Sequence, residues 1–332
     1  MDRPRLLNRR SVLGLGTAAA AVLVAPGCSR GRSTEPAPDG PATLVTGNKG
    51  GVYATYGDGL AKLVTEVTGV QMTAKNTEGS VANLRMLDAG TADIGFSLSD
   101  SALDAYNGLE TFASGPLRFT ALARTYDNYV HIVVPANSKI STLKQLSGMT
   151  VNVGPKLSGT KVVAERILAT AGIKDVHTTN FDLDTAVQRL KLKAENKGIK
   201  GGIDALIWSG GLPTDPIKNL QTSIGFRLVA IGEVAKEIAL MRFGGYVLSS
   251  IPPSVYSLAS AVETLAVPNY LLAREGLSDS WAWWTLNTMF RRQADLTEIH
   301  PEAGSLDARS AIATMPIPLH RAAERWYRNN HI

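Results

Sequence analysis

The chain has 332 residues, of which 44% are hydrophobic, 19% are charged and one is cysteine, and its formal net charge is +5. Four arginines against Asp2 put +3 of that charge within residues 1–28, leaving +2 for the rest, with the two signs interspersed. That balance excludes an electrostatic footprint for DNA or RNA, and a lone cysteine excludes an internal disulfide, so stability must come from an apolar core.

The first 28 residues read as a processing signal rather than part of a fold. Arg9-Arg10 precede Ser11-Val12-Leu13 and an apolar stretch, Gly14 to Ala25, that ends at Ala25-Pro26-Gly27-Cys28. A charged segment, a short apolar segment and small residues at a cleavage point are the marks of an export signal, here of twin-arginine type. About 12 apolar residues are too few to cross a hydrocarbon core of about 30 Å. Cys28 stands where bacterial lipoproteins carry their lipidated cysteine, with Ala25 in place of the usual Leu, so lipidation at Cys28 is expected. Residues 29–42, rich in Ser, Gly, Pro and charge, read as a flexible tether. An extracytoplasmic, lipid-anchored protein is the expectation.

From Thr43 short apolar runs alternate with stretches of helical spacing. Thr43–Thr46 reads as a strand, Tyr53 to Val67 as a helix with Leu60, Leu63, Val64 and Val67 on one stripe, Val70–Lys75 as a strand and Ser80 to Ala89 as a helix. Asp93–Ser97 is a third strand, followed by a helix from Asp100 to Asn107, and then two apolar runs, Phe119–Arg124 and Tyr129–Pro135. A second series has helices near 141–147, 159–171 and 183–196, with strands at Thr150–Val153, His177–Phe181 and Ile203–Trp208. Val262–Tyr270 is a further strand, and Ser278 to Leu296 and His320 to Asn329 read as helices. Their aromatics, Trp281, Trp283, Trp284, Trp326 and Tyr327, are expected to pack in the core. This alternation predicts an α/β fold with mostly parallel sheets.

If the chain leaves one α/β half and later returns, it needs two crossings, and Tyr129–Pro135 and Val262–Tyr270 suit that role. The expectation is two lobes, residues 43–132 with 266–332 and residues 133–265, joined by two strands with a cleft between. Ligands in such sheets bind beyond the carboxyl ends of the strands.

Four loops that follow strands and open helices, Gly47–Tyr53, Thr77–Ser80, Ser97–Asp100 and Gly154–Thr160, are rich in Gly, Ser, Thr or Asn. Helix N-termini offer open N–H groups and a positive partial charge, so the four together favour a carboxylate- or phosphate-binding cleft. Gly154-Pro155-Lys156-Leu157-Ser158-Gly159-Thr160-Lys161 is not a nucleotide loop, because its lysine follows Thr instead of preceding it. Ser158-x-x-Lys161 and Ser141-x-x-Lys144 carry the spacing of a serine acyl-enzyme of the penicillin-binding type, but Ser278-Asp279-Ser280 is a poor second element and the Lys-Thr-Gly element is absent. His131, His177, His300, His320 and His331 lie far apart without metal-ligand spacing. Asp93, Asp100 and Asp104 read as solvated surface. No cofactor, metal site or enzyme activity is expected.

Taken in order, these segments resemble the TAXI family of receptors that feed TRAP-type transporters. The likeness runs through Thr46-Gly47-Asn48-Lys49-Gly50-Gly51-Val52-Tyr53, Thr77-Glu78-Gly79-Ser80-Val81-Ala82-Asn83-Leu84 and Asp93-Ile94-Gly95-Phe96-Ser97-Leu98-Ser99-Asp100. It continues through Tyr126 to Val134, Ser158-Gly159-Thr160, Asp204 to Thr214 and Met315-Pro316-Ile317-Pro318-Leu319-His320. The resemblance implies a type II periplasmic-binding-protein fold closing over a small organic acid such as glutamate, 2-oxoglutarate or another dicarboxylate, with a TRAP membrane permease as partner. By position it implies ligand contacts from Gly51, Tyr53, Gly79, Ser80, Ser97 and Ser99 in the first lobe, Tyr126 near the crossing, and Ser158, Gly159, Thr160 and Trp208 in the second. Lys49 and Lys156 replace residues usually uncharged in the family, which favours a ligand of higher negative charge. The alternative on the same fold is a ligand-sensing lipoprotein uncoupled from transport.

Overall fold

The computed structural model describes residues 35–195, 201–242 and 244–331; the expected export signal with Cys28 lies outside the described residues. The chain opens with β1 (Ala42–Val45), α1 (Val52–Thr68), β2 (Met72–Lys75), α2 (Ser80–Asp88), β3 (Ile94–Leu98), α3 (Ser99–Asn107) and the long β4 (Phe119–Pro135). A second series follows: β5 (Thr150–Asn152), α4 (Gly159–Thr170), β6 (His177–Thr179), α5 (Leu183–Ala194) and β7 (Ala205–Gly210). Short pieces come next: α6 (Asp215–Lys218), β8 (Phe226–Leu228), α7 (Glu233–Met241), β9 (Val247–Ile251) and α8 (Pro253–Tyr256). The chain then returns through β10 (Val262–Arg274) to α9 (Asp279–Arg291), α10 (Gln293–Ile299), α11 (Ala308–Ala311) and α12 (Arg321–Asn329).

One continuous sheet runs in the order β2-β1-β3-β10-β4-β7-β5-β6, with β8 on the end of β4 and β9 on the start of β10. β1 is parallel to β2 and β3, and β5 is parallel to β6 and β7. Only β4 and β10 belong to both halves, and they run antiparallel to each other. The core divides accordingly. Leu44, Leu60, Phe96 and Trp281 pack on one face of the first half and Leu84, Leu87, Phe119 and Leu272 on the other. In the second half Val130, Ile132 and Val134 face one cluster and Val133 the opposite one, the two-residue alternation of a strand covered on both sides. The result is a two-lobed α/β fold with two hinge strands.

The two apolar runs expected at 119–124 and 129–135 are one strand. The intervening Thr125-Tyr126-Asp127-Asn128 looks too polar for a strand interior, but Asn128 is buried and bonded to Asn269 of β10, so its polarity is satisfied inside the sheet. The helix expected over 278–296 breaks at Arg292, whose backbone leaves the helical region. Part of the expected tether is docked: the Trp284 indole donates to the Pro36 carbonyl at 2.8 Å and Glu35 pairs with Arg325 at 2.9 Å.

Candidate functional site

Two of the longer helices away from the cleft, α5 and α9, are capped by side chains. Asp182 accepts the Thr185 N–H at α5, and Ser278 accepts the Trp281 N–H at α9. The helices that open at the carboxyl ends of β1 and β2 are different: Gly51 and Gly79 stand at their N-caps and make no side-chain cap. Gly79 has φ +123, a conformation that only glycine adopts readily, and its α-carbon faces Ser158 of the other lobe. At α4 the Ser158 hydroxyl serves the Lys161 N–H and leaves those of Gly159 and Thr160. The N–H groups of Val52, Tyr53, Ser80, Gly159 and Thr160 therefore have no hydrogen-bond partner among the described residues.

These three N-termini surround one cavity of about 40 Å³, which Trp208, Ser209 and Gly210 line from the end of β7. That is room for about three waters. Below it, a buried polar chain ties both hinge strands to both lobes. The Tyr53 hydroxyl donates to Asn269 Oδ1, Asn269 Nδ2 donates to Asn128 Oδ1 and to the Tyr126 carbonyl at 3.0 Å, and Asn128 Nδ2 donates to the Ser209 carbonyl at 3.2 Å.

Of the residues singled out from sequence, the fold brings Gly51, Tyr53, Gly79, Ser80, Tyr126, Ser158, Gly159, Thr160 and Trp208 to this cavity. It does not bring Ser97 or Ser99 there. The Ser97 hydroxyl donates to the Leu98 carbonyl and the Ser99 hydroxyl to the Gly245 carbonyl, so both are committed to buried backbone. Lys49 and Lys156 are exposed and lie outside the lining, where water solvates them more cheaply than the cavity could. Sequence reasoning missed Asn128, Ser209 and Gly210, whose only signal was adjacency to Tyr126 and Trp208. The Ser158/Lys161 spacing forms no dyad: Lys161 Nζ pairs with Glu165 at 2.5 Å, and the Ser158 hydroxyl donates to the Pro155 carbonyl at 2.8 Å. Ser141 likewise donates to Gln145 Oε1.

Polar contacts hold the lobes together around the cavity. The Leu157 N–H donates to Glu78 Oε2, and the Ala82 N–H to the Leu157 carbonyl. On α4, Arg166 reaches α3 of the first lobe, bonding Asp100 Oδ2 at 3.0 Å and Asp104 Oδ2 at 2.7 Å, while Arg242 bonds Asp104 Oδ1 at 2.9 Å and Glu110 at 2.7 Å. The Tyr246 hydroxyl also donates to Asp100. Asp100 and Asp104, expected on the surface, are thus buried within a cross-lobe ion cluster. Burial pushes the Asp100 carboxyl up, against the pull of Arg166 and Tyr246. A second cross-lobe contact joins the Leu212 N–H to Glu302, whose carboxyl burial pushes up to about 7. On hinge strand β4, His131 lies against the Tyr256 hydroxyl and is pulled down to about 4 by burial.

Two α/β lobes on a pair of hinge strands, with helix N-termini converging on one cavity, define the architecture of a two-lobed periplasmic-binding-protein fold. The NMT1-like family profile matches residues 44–330, and the chain belongs to that family. Among solved structures it is similar to MatC from Rhodopseudomonas palustris, seen with bound malate, at 12% identity and a TM-score of 0.60, covering 88% of this chain and 99% of that one. It is also similar to the periplasmic binding protein BugD, at 12% identity and a TM-score of 0.57, covering 89% and 97%. At such identity the likeness is one of fold. Among the described residues no helix is long and apolar enough to cross a membrane, and no group of three His, Cys, Asp or Glu is placed to hold a metal.

Proposed function

We propose that the chain is an extracytoplasmic solute receptor of the TAXI type, which delivers a small carboxylate to a TRAP permease and is held at the membrane by lipid on Cys28. The lobes divide at residues 132/133 and 265/266. The observation that carries the reading is the convergence of three helix N-termini, with open N–H groups, on one cavity between the lobes. Such groups bind anions through fixed dipoles and donors without a counter-ion. Gly51, Tyr53, Gly79, Ser80, Ser158, Gly159 and Thr160 hold the carboxylate, and Tyr126 and Trp208 close over the rest of the ligand. MatC, with malate in the same fold, makes small acids the first solutes to try.

A thermal-shift screen of the chain without its export signal, against keto acids, hydroxy acids, dicarboxylates and amino acids, tests the binding half. Ligand at about 100 times its Kd stabilises by about 2.7 kcal/mol, a shift of several degrees. Stabilisation only by uncharged or cationic solutes overturns the carboxylate reading. Uptake by a TRAP permease in proteoliposomes, dependent on added receptor, tests the transport half, and ligand binding without such uptake points to sensing.

A further inference from the structure

Around the cavity the polar side chains are nearly all committed. Asn48 donates to the Glu78 carbonyl, the Ser80 hydroxyl accepts the Leu98 N–H and the Ser158 hydroxyl accepts the Lys161 N–H. Thr160 Oγ1 accepts the Ser209 N–H, Trp208 Nε1 donates to Thr214, and Asn128 is held by Asn269 and Ser209. Two lining residues, Tyr126 and Ser209, carry hydroxyls with no partner among the described residues, and both are nearly fully buried, at 2% and 5% exposure. Buried polar groups are rarely left unpaired. Tyr126 is on β4 and Ser209 on the neighbouring β7, so both residues line the cavity from the β4–β7 side.

The charge on the lining is equally specific. Among the described residues no Lys or Arg lines the cavity, and the one charged side chain that does, Glu78, is exposed and already accepts the Leu157 N–H. Three helix N-termini carry about half a positive charge each, which suffices for one carboxylate and falls short of two. A second carboxylate would be buried without a counter-charge, and an ammonium would be buried without an anion.

We infer that the ligand is a small monocarboxylate carrying one further uncharged hydrogen-bonding group, a hydroxyl or a carbonyl, and that Tyr126 and Ser209 read that group. This rests on the receptor reading and narrows its ligand. A ligand of one carboxylate and one such group satisfies the N-termini at one end and both free hydroxyls at the other. A cavity of about 40 Å³ suits a molecule of few heavy atoms.

The test is calorimetric titration of the chain with matched acids: pyruvate, lactate and 2-oxoisovalerate; the unsubstituted propionate and isovalerate; the dicarboxylates malate, oxaloacetate and succinate; and alanine and glutamate. The expected order places one oxo- or hydroxy-monocarboxylate about 10-fold or more ahead of both its unsubstituted and its dicarboxylate counterparts. In Ser209→Ala and Tyr126→Phe that lead shrinks by about 2- to 10-fold each, while affinity for the unsubstituted acid stays constant. A merely structural role would weaken both acids alike. Folding does not depend on hydroxyls that bond nothing in the protein, so both variants are measurable. A dicarboxylate or glutamate as the tightest ligand overturns the inference and leaves the carboxylate receptor standing. An unchanged lead in both variants overturns the roles of Tyr126 and Ser209. Binding of neutral or cationic solutes alone overturns the receptor reading itself.

Discussion

Replacing Arg166 by methionine keeps most of the side-chain volume and removes the guanidinium that joins the lobes at Asp100 and Asp104. Its side chain is 11% exposed, and those of its partners 2% and 5%, so the pairs are screened little by solvent. Removing one partner of a buried pair costs about 3–5 kcal/mol. Tyr246 still bonds Asp100, and Arg242 still bonds Asp104, which argues for the lower end. The cost falls on the closed state, because the carboxylates regain water when the lobes part. About 3 kcal/mol is about 150-fold in the closing equilibrium. Small-angle scattering of the ligand-free variant is expected to show a larger radius of gyration, and titration a ligand affinity weakened by up to that factor. Asp100→Asn in the same background is expected to recover part of the loss, since it removes one of the stranded charges. Identical scattering curves and identical affinity would show that this cluster does not hold the lobes together.

Two further outcomes follow from the geometry. In Gly159→Ala the new methyl would lie 2.6 Å from both Ser80 Oγ and Leu98 Cδ1, buried atoms of the other lobe. Overpacking of this kind costs about 1–3 kcal/mol. It should weaken ligand binding while leaving the ligand-free melting temperature nearly unchanged; an equal loss in both would place the clash within a lobe. Glu302, raised to about 7, stabilises fully below its unfolded value of 4.5, and that stability is lost as pH rises through 7. His131, lowered to about 4, works the other way: its stability is present above 6.5 and is lost as pH falls through 4. The two slopes oppose each other between pH 4.5 and 6.5. Denaturant melts of Glu302→Gln are therefore expected to show stability rising with pH over that window more steeply than in the parent chain, and a slope equal to the parent's would refute the assignment.

Most single elements were legible because their signals are local. The stripe of Leu60, Leu63 and Val64 marks α1 at 3.6-residue spacing, and the Gly-rich turns before α1 and α2 announce helices without ordinary caps. Residues 215–261 gave no reading of elements: β8 and β9 are three and five residues long and α6 and α8 four, which leaves little period to register, and the nine-residue α7 between them was missed as well.

The sequence by itself determined the α/β alternation, the two crossing segments and the loops that line the cavity, since periodicity and turn chemistry act over a few residues. Tertiary structure alone decided which polar groups spend themselves on the protein. Asp100 meets Arg166 across 66 positions, Ser99 is taken up by Gly245 across 146, and Lys49 and Lys156 turn to water despite standing in cleft loops. Hydrogen-bond satisfaction is a property of the whole folded interior, so only the assembled lobes could show that Tyr126 and Ser209 were left with hydroxyls to spare.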